Sequence, residues 1–328
     1  MKAPDPKSVK APAAAQSARK TALQIVFGFL AVLPLLALAL DEPFYLTLFG
    51  RVMVYAIAAL SLDLILGYGG MVSFGHAAFL GVGAYTVGIL SFYGIESAFL
   101  QWPAALLFSA LAALLIGYVS LRTSGVYFIM ITLAFAQMLF YFFTSLEVYG
   151  GDDGLTIWAL SSFNGLISLD DNLTLYYVIF AALGGCLYLS HRLVNSRFGR
   201  VLQGIKSNEA RMRAIGYPTM RYKLLAFTIS GSMCGLAGVL LANQSEFVAP
   251  SYLAWHRSGE LIVMVLLGGM GTLFGPVMGA IAFMLLTHFL ADLTIYWPII
   301  FGPFLIAVVL FGRGGLHGLI GRMGGKGG

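Results

Sequence analysis

From residue 21 onward the chain is a succession of apolar runs, most of them about as long as a membrane is thick, separated by short polar or glycine-rich breaks. A helix needs about 20 mostly apolar residues to cross roughly 30 Å of hydrocarbon. On that measure, spans are predicted over 21–40, 45–66, 72–92, 102–121, 125–146, 174–191 and 224–243, followed by 260–291 and 296–312. The run 260–291 is too long for one pass, since as a single helix it would measure about 48 Å. It is also interrupted by GGMGTLFGP (268–276), where glycines loosen a helix and Pro276 suits the first turn of a new one. Division into a short arm, 260–270, and a second helix, 276–291, gives ten segments.

Charge supports that count. With the N-terminus inside, 17 of the 19 Lys and Arg fall on the cytoplasmic side: five in the N-terminal tail, Arg122, eight between 192 and 223, and three after 312. Only Arg51 and Arg257 are left over, the asymmetry that the positive-inside rule asks for. A single pass over 260–291 would put Arg313, Arg322 and Lys326 outside. Most acidic residues lie opposite, among them Asp41, Glu42, Asp152, Asp153, Asp170, Asp171, Glu246 and Glu260. The expected organisation is a polar cytoplasmic tail over 1–20, a transmembrane domain over 21–312 and a basic, glycine-rich cytoplasmic tail over 313–328. The first apolar run is read as an uncleaved helix, because a signal peptide has a shorter core and a small-residue cleavage site.

Composition excludes the soluble alternatives. Hydrophobic residues make up 59% of the 328, charged residues only 10%, and the mean hydropathy is +0.88. Soluble globular proteins carry roughly 25% charged residues. The two cysteines, Cys186 and Cys234, lie in apolar runs without metal-ligand spacing. The fold class is therefore all-α and polytopic.

Three constellations carry the candidate chemistry. The first is GYGGMVSFGHAAFLGVGAYTVGIL (67–90). In a helix over 72–92, Ala77, Gly81, Ala84 and Gly88 form one strip of small residues open to a close neighbour. Ser73 and His76 share a face near its cytoplasmic end and either tie the bend together or face a route through the protein. The second is GGMGTLFGPVMGA (268–280), in which Gly271, Gly275 and Gly279 make a doubled GxxxG. Its beginning echoes the first: GGMVSFG (69–75) against GGMGTLFG (268–275). Paired glycine interruptions in two halves point to repeat architecture and a pathway between the halves. The third is the loop 195–223, with seven Lys or Arg against Glu209 and a partial apolar stripe of Val201, Leu202, Ile205 and Met212. Such a segment either lies on anionic lipid or is presented to a soluble partner. Asp63, near the cytoplasmic end of the second span, is as compatible with a structural role as with a functional one. GGDDG (150–154) reads as an outer turn or as a gate or docking element.

These three segments, GYGGMVSFGHAAFLGVGAY, GGDDG and SRFGRVLQGIKSNEARMRAIGY with the following RYKLLAFTISGSMCGLAGVL, resemble in order the inner-membrane permeases of bacterial branched-chain amino acid ABC importers, most closely the M-type subunit. The resemblance covers roughly 45–312. It implies a ten-span permease with inverted halves, related in fold to the vitamin B12 importer permease, in the bacterial inner membrane with both termini cytoplasmic. It also implies a second homologous permease in a heterodimer, two cytoplasmic ATPase subunits and a periplasmic binding protein, and no cofactor, metal or nucleic acid. By position, Glu209, Ala210 and Gly216 fall on the family's coupling motif. The helix around 200–214, with Arg200, Lys206 and Arg213, would be the coupling helix within the loop 192–223. Ser73, Phe74, Gly75 and His76 fall on the helix-break motif, and with Gly81, Gly269, Gly271 and Gly275 are the candidates for the translocation path. Asp152 and Asp153 are candidates for an outer gate or binding-protein docking. Asp63 stands where an uncharged polar residue is expected.

The chain has no GxxxxGK[ST] and does not cradle ATP phosphates itself. The competing reading is an ion-gradient-driven secondary transporter of a small polar solute. Such carriers place ionisable groups at mid-membrane, and the inner candidates here, Asp63 and His76, both lie near one end. No paired carboxylates or nucleophile–base signature suggest an enzyme.

Overall fold

The computed structural model describes residues 24–35, 44–163, 169, 171–294, 296, 299, 301–303, 306, 315 and 316. The tails over 1–20 and 317–328, the acids Asp41, Glu42 and Asp170, and most of the segment expected over 296–312 lie outside them.

Described in chain order, the helices are α1 (Gln24–Leu35), α2 (Phe44–Leu66), α3 (His76–Phe92), α4 (Ala98–Ser120), α5 (Val126–Thr144), α6 (Asn172–Asn195), α7 (Arg197–Ser207), α8 (Glu209–Ala214), α9 (Thr219–Ser245), α10 (Trp255–Gly268) and α11 (Gly275–Leu293). Six of them, α2, α4, α5, α6, α9 and α11, are long and apolar enough to cross a membrane, and α1 and α3 are shorter apolar helices. The break foreseen at 268–276 is present: α10 ends at Gly268, and α11 begins at Gly275 with Pro276 in its first turn. Proline fits there because the first helical N–H groups have no intrahelical partner.

The core is built on α2 and α9. Almost all of α2 from Val52 to Leu66 is buried, which explains why it carries no polar face. α9 packs against α2, α3 and α4, and small residues set its approach to each. Gly231 faces Ala113 and Gly235 faces Ser109, both on α4. On the other side, a Cβ on Gly83 of α3 would collide with the carbonyl of Gly235, and one on Gly238 with the carbonyl of Leu80. Without hydrophobic pressure between helices in lipid, such backbone proximity is a main source of association. α4, α5 and α11 bury only a minority of their residues, and α4 and α5 turn Leu107, Leu115, Tyr127, Met130 and Met138 outward.

The strip Ala77–Gly81–Ala84–Gly88 does not meet one neighbouring helix as expected. The Ala77 N–H donates to Ser258 Oγ of α10 at 3.0 Å, Gly81 lies under the Leu253 side chain, and Gly88 faces Leu155 and Val248. The last two belong to a two-residue antiparallel pair, β1 (Leu155–Thr156) with β2 (Phe247–Val248). This pair closes the end of the bundle opposite α7 and α8.

Candidate functional site

The expected helix-break and coupling sites gather at one end of the bundle, where α2 ends, α3 begins, α10 turns into α11, and α7–α8 lie across. Helix α3 begins at His76, not at residue 72. The residues from Gly70 to Gly75 form a non-helical connection, because the backbone turns at Gly70 (φ 70°), a conformation open chiefly to glycine. Ser73 and His76 consequently do not share a helix face. Ser73, fully buried, accepts the Gly75 N–H on its Oγ at 3.3 Å, a local turn bond. Phe74 leans toward Gly259 of α10 and donates its N–H to Thr132 Oγ1 of α5 at 3.3 Å. Gly75 packs on the backbone of Thr132.

His76 is fully buried and bonds between helices. Ser61 Oγ donates to the Ala58 carbonyl at 2.7 Å and shares a hydrogen bond with His76 Nε2 at 2.8 Å. His76 Nδ1 has no hydrogen-bond partner among the described residues. Around it, Ser230 Oγ of α9 donates to the Ser61 carbonyl and Cys234 Sγ reaches the His76 carbonyl at 3.5 Å, so the knot joins α2, α3 and α9. A buried side chain of this size, cut back, leaves a cavity and frees a polar partner. His76→Ala is expected to cost about 2–4 kcal/mol, read as a lower unfolding midpoint in detergent. Ser61→Ala should cost about 1 kcal/mol.

The second glycine segment divides differently from the doubled GxxxG. Gly275 and Gly279 lie on α11 and pack on the backbone of α10 at Gly268 and Met264, a close hairpin. Gly269 (φ 118°) and Gly271 (φ 74°) belong to the turn between the two helices. The N–H of Gly271 donates to Asp63 Oδ1 at 2.8 Å, and a Cβ on Gly67 would stand 2.5 Å from that same nitrogen. The end of α2 and the second glycine segment therefore meet, joined through the buried Asp63.

The loop 195–223 holds two helices where one was expected over 200–214. Asn208 breaks the run: its side chain accepts the Arg211 N–H at 2.9 Å and caps α8. An Asn followed by an acid is a helix-start signal that favours a new turn over continuation. The apolar stripe survives the break, since Val201, Leu202 and Ile205 are buried and Met212 packs against Gly204. Glu209 points inward. Its Oε1 accepts from Arg213 Nη2 at 2.6 Å and Thr219 Oγ1 at 3.1 Å, and its Oε2 from Lys223 Nζ at 3.0 Å. Burial pushes its pKa up, but the hydrogen bonds from Lys223 and Arg213 and the Lys223 charge outweigh this and hold it below the ordinary value. Arg197, Arg200, Ala210, Arg211, Arg213 and Gly216 (φ 90°) are exposed and form a basic outer face. Lys206 reaches back to the end of α2, donating Nζ to the Gly67 carbonyl at 2.5 Å. A cavity of about 350 Å³ lies between α7–α8, the connection at Gly69–Val72 and the one at Thr123–Gly125.

At the opposite end, Asp152 and Asp153 are exposed on a turn with three positive-φ glycines, 150, 151 and 154. Gly154 packs on the Val248 carbonyl, and Ile157 N–H donates to the Glu246 carbonyl at 2.8 Å, fixing the turn to the segment after α9.

Sequence reasoning missed Gly83, Gly235 and Gly238, although the Gly231/Gly235 spacing in GSMCG carries the small-residue signal. It also left open the role of Asp63, whose partner lies 208 residues away.

Comparison with known proteins places the chain in a family. The sequence model of the family described as "Branched-chain amino acid transport system / permease component" matches residues 44–311. The chain is 28% identical over 287 residues to the "High-affinity branched-chain amino acid transport system permease protein LivM" of Escherichia coli strain K12, covering 80% of this chain and 68% of that protein. It is 24% identical over 299 residues to the "Probable branched-chain amino acid transport permease protein LivM" of Methanocaldococcus jannaschii, covering 79% and 86%. A shorter stretch, 108 residues at 35% identity and 31% and 30% of the two chains, matches the "Autoinducer 2 import system permease protein LsrC" of an Enterobacter strain. No solved structure matches the chain. A helical, multi-pass membrane chain matched over nearly its whole apolar length belongs to the family of branched-chain amino acid transport system permease components.

Proposed function

We propose that this chain is one permease subunit of an ATP-driven importer that moves branched-chain or closely related amino acids from periplasm to cytoplasm. In this reading it crosses the inner membrane ten times with both termini cytoplasmic, in the inverted-repeat architecture of the vitamin B12 importer permease. It pairs with a second homologous permease, receives solute from a periplasmic binding protein, and takes its driving force from two ATPase subunits docked on α7–α8. The observation that carries the reading is the short helix pair α7–α8, with an apolar face on the bundle and a basic face outward, in a chain whose family relatives are transport permeases. An amphipathic pair of this kind is a handle, and the closely packed glycine turns behind it are what it would move.

An ion-gradient carrier needs ionisable groups that water and the coupling ion can reach. Asp63 and His76 are both fully buried and engaged with neighbouring helices, which favours the ATP-driven reading. The test is uptake of labelled leucine by proteoliposomes holding the complete transporter, with binding protein outside and nucleotide inside. Uptake should follow ATP and ignore an imposed proton gradient. Uptake that follows the proton gradient without ATP would overturn the proposal.

A further inference from the structure

We propose that Lys206 and Asp63 form a mechanical latch that delivers movement of α7 to the α10–α11 hairpin, an inference that rests on the importer reading above. The latch is a chain of three contacts across four elements. Lys206 Nζ donates to the Gly67 carbonyl at 2.5 Å, at the C-terminal end of α2. The Lys206 stem also covers Gly70, its Cγ lying 3.0 Å from where a Cβ on Gly70 would stand. From α2, Asp63 Oδ1 accepts the Gly271 N–H at 2.8 Å in the turn that joins α10 to α11.

The electrostatics explain why a lysine sits there. The C-termini of α2 and α10 converge on this point, and each brings the negative end of a helix dipole. Asp63 Oδ2 has no hydrogen-bond partner among the described residues. Such a junction calls for a cation, and Lys206 supplies one tethered to α7. Steric contacts make the joint stiff. A Cβ on Gly67 would strike Asp63 Oδ1, and one on Gly271 would stand 3.2 Å from the Gly67 carbonyl. A shift of α7 is then passed on rather than absorbed. Arg197, Arg200 and Arg211 are exposed and Lys223 is held by Glu209, so the Lys206 contact is distinct from both the outer basic face and the Glu209 pair.

The experiment uses the complete transporter in proteoliposomes and reads the amount of solute imported per ATP hydrolysed. Lys206→Met and Asp63→Ala are each expected to lower that ratio at least tenfold, and Asp63→Asn, which keeps the acceptor oxygen, less than threefold. Because both residues act in one chain, the double variant should lose no more than either single one. Multiplicative losses, or a Lys206→Met ratio within threefold of wild type, overturn the latch. If the wild-type complex shows no ATP-dependent uptake, it is the importer reading that fails.

Discussion

Gly83→Leu and Gly238→Leu are each expected to leave almost no folded chain in the membrane, whereas Gly184→Ala and Gly185→Ala should be tolerated. At Gly83 an added Cβ runs into the Gly235 carbonyl, and at Gly238 into the Leu80 carbonyl. Both obstacles are backbone atoms inside helices, which cannot rotate away as a side chain does, so α3 and α9 must separate along their length. Even a single methyl at such a site costs about 1–3 kcal/mol by overpacking, and a folded domain holds only about 5–15 kcal/mol in total. Alanine at both positions should therefore lower the unfolding midpoint in detergent clearly, and leucine should abolish the monodisperse peak in size-exclusion chromatography. Gly184 and Gly185 of α6 have open space where a Cβ would stand, and alanine there gains about 0.8–1 kcal/mol of helix propensity. If Gly83→Ala and Gly238→Ala melted like wild type, the close approach of α3 and α9 would not be what holds this bundle.

That contrast marks what the sequence could and could not tell. Apolar length predicted α2, α4, α5, α6 and α9 to within a few residues at each end, because lipid imposes one length on every span. Pro276 and an impossible helix length placed the break between α10 and α11 correctly. Partners were not legible, since a strip of glycines says only that something comes close. The strip on α3 met a loop and α10, while Gly83, one residue pair away, met α9. The break at Asn208 was legible in the run Ser207-Asn208-Glu209, but the continuous apolar stripe from Val201 to Met212 concealed it. Asp63 could not be assigned from a single chain position, because its meaning comes from Gly271 and Lys206, which only the fold brings near.

Glu209→Ala is expected to reduce uptake at least tenfold while the chain remains folded in the membrane. The motif position suggests a contact with the ATPase, but the carboxylate is turned toward its own protein. Of its two cations, Arg213 is mostly solvated and contributes little, whereas Lys223 is buried and depends on Glu209 for compensation. Removing one partner of a buried pair costs about 3–5 kcal/mol. The Glu209 side chain is 28% exposed, so a local loss of about 1–3 kcal/mol is the fitting scale. α8 has only six residues and cannot persist without that anchor. It should come away from α9, and the handle would then move without moving the bundle. Pairing Glu209→Ala with Lys223→Met removes the stranded charge and should recover part of the uptake. The pH dependence gives an independent check. Because Glu209 is held below its ordinary value of 4.5, its contribution is complete above that pH and is lost as the pH falls through the folded-state value. The wild-type unfolding midpoint should fall more steeply under acid than that of Glu209→Gln, whose amide does not titrate. Equal slopes, with uptake by Glu209→Ala within twofold of wild type, would remove Glu209 as the strut between α8 and α9.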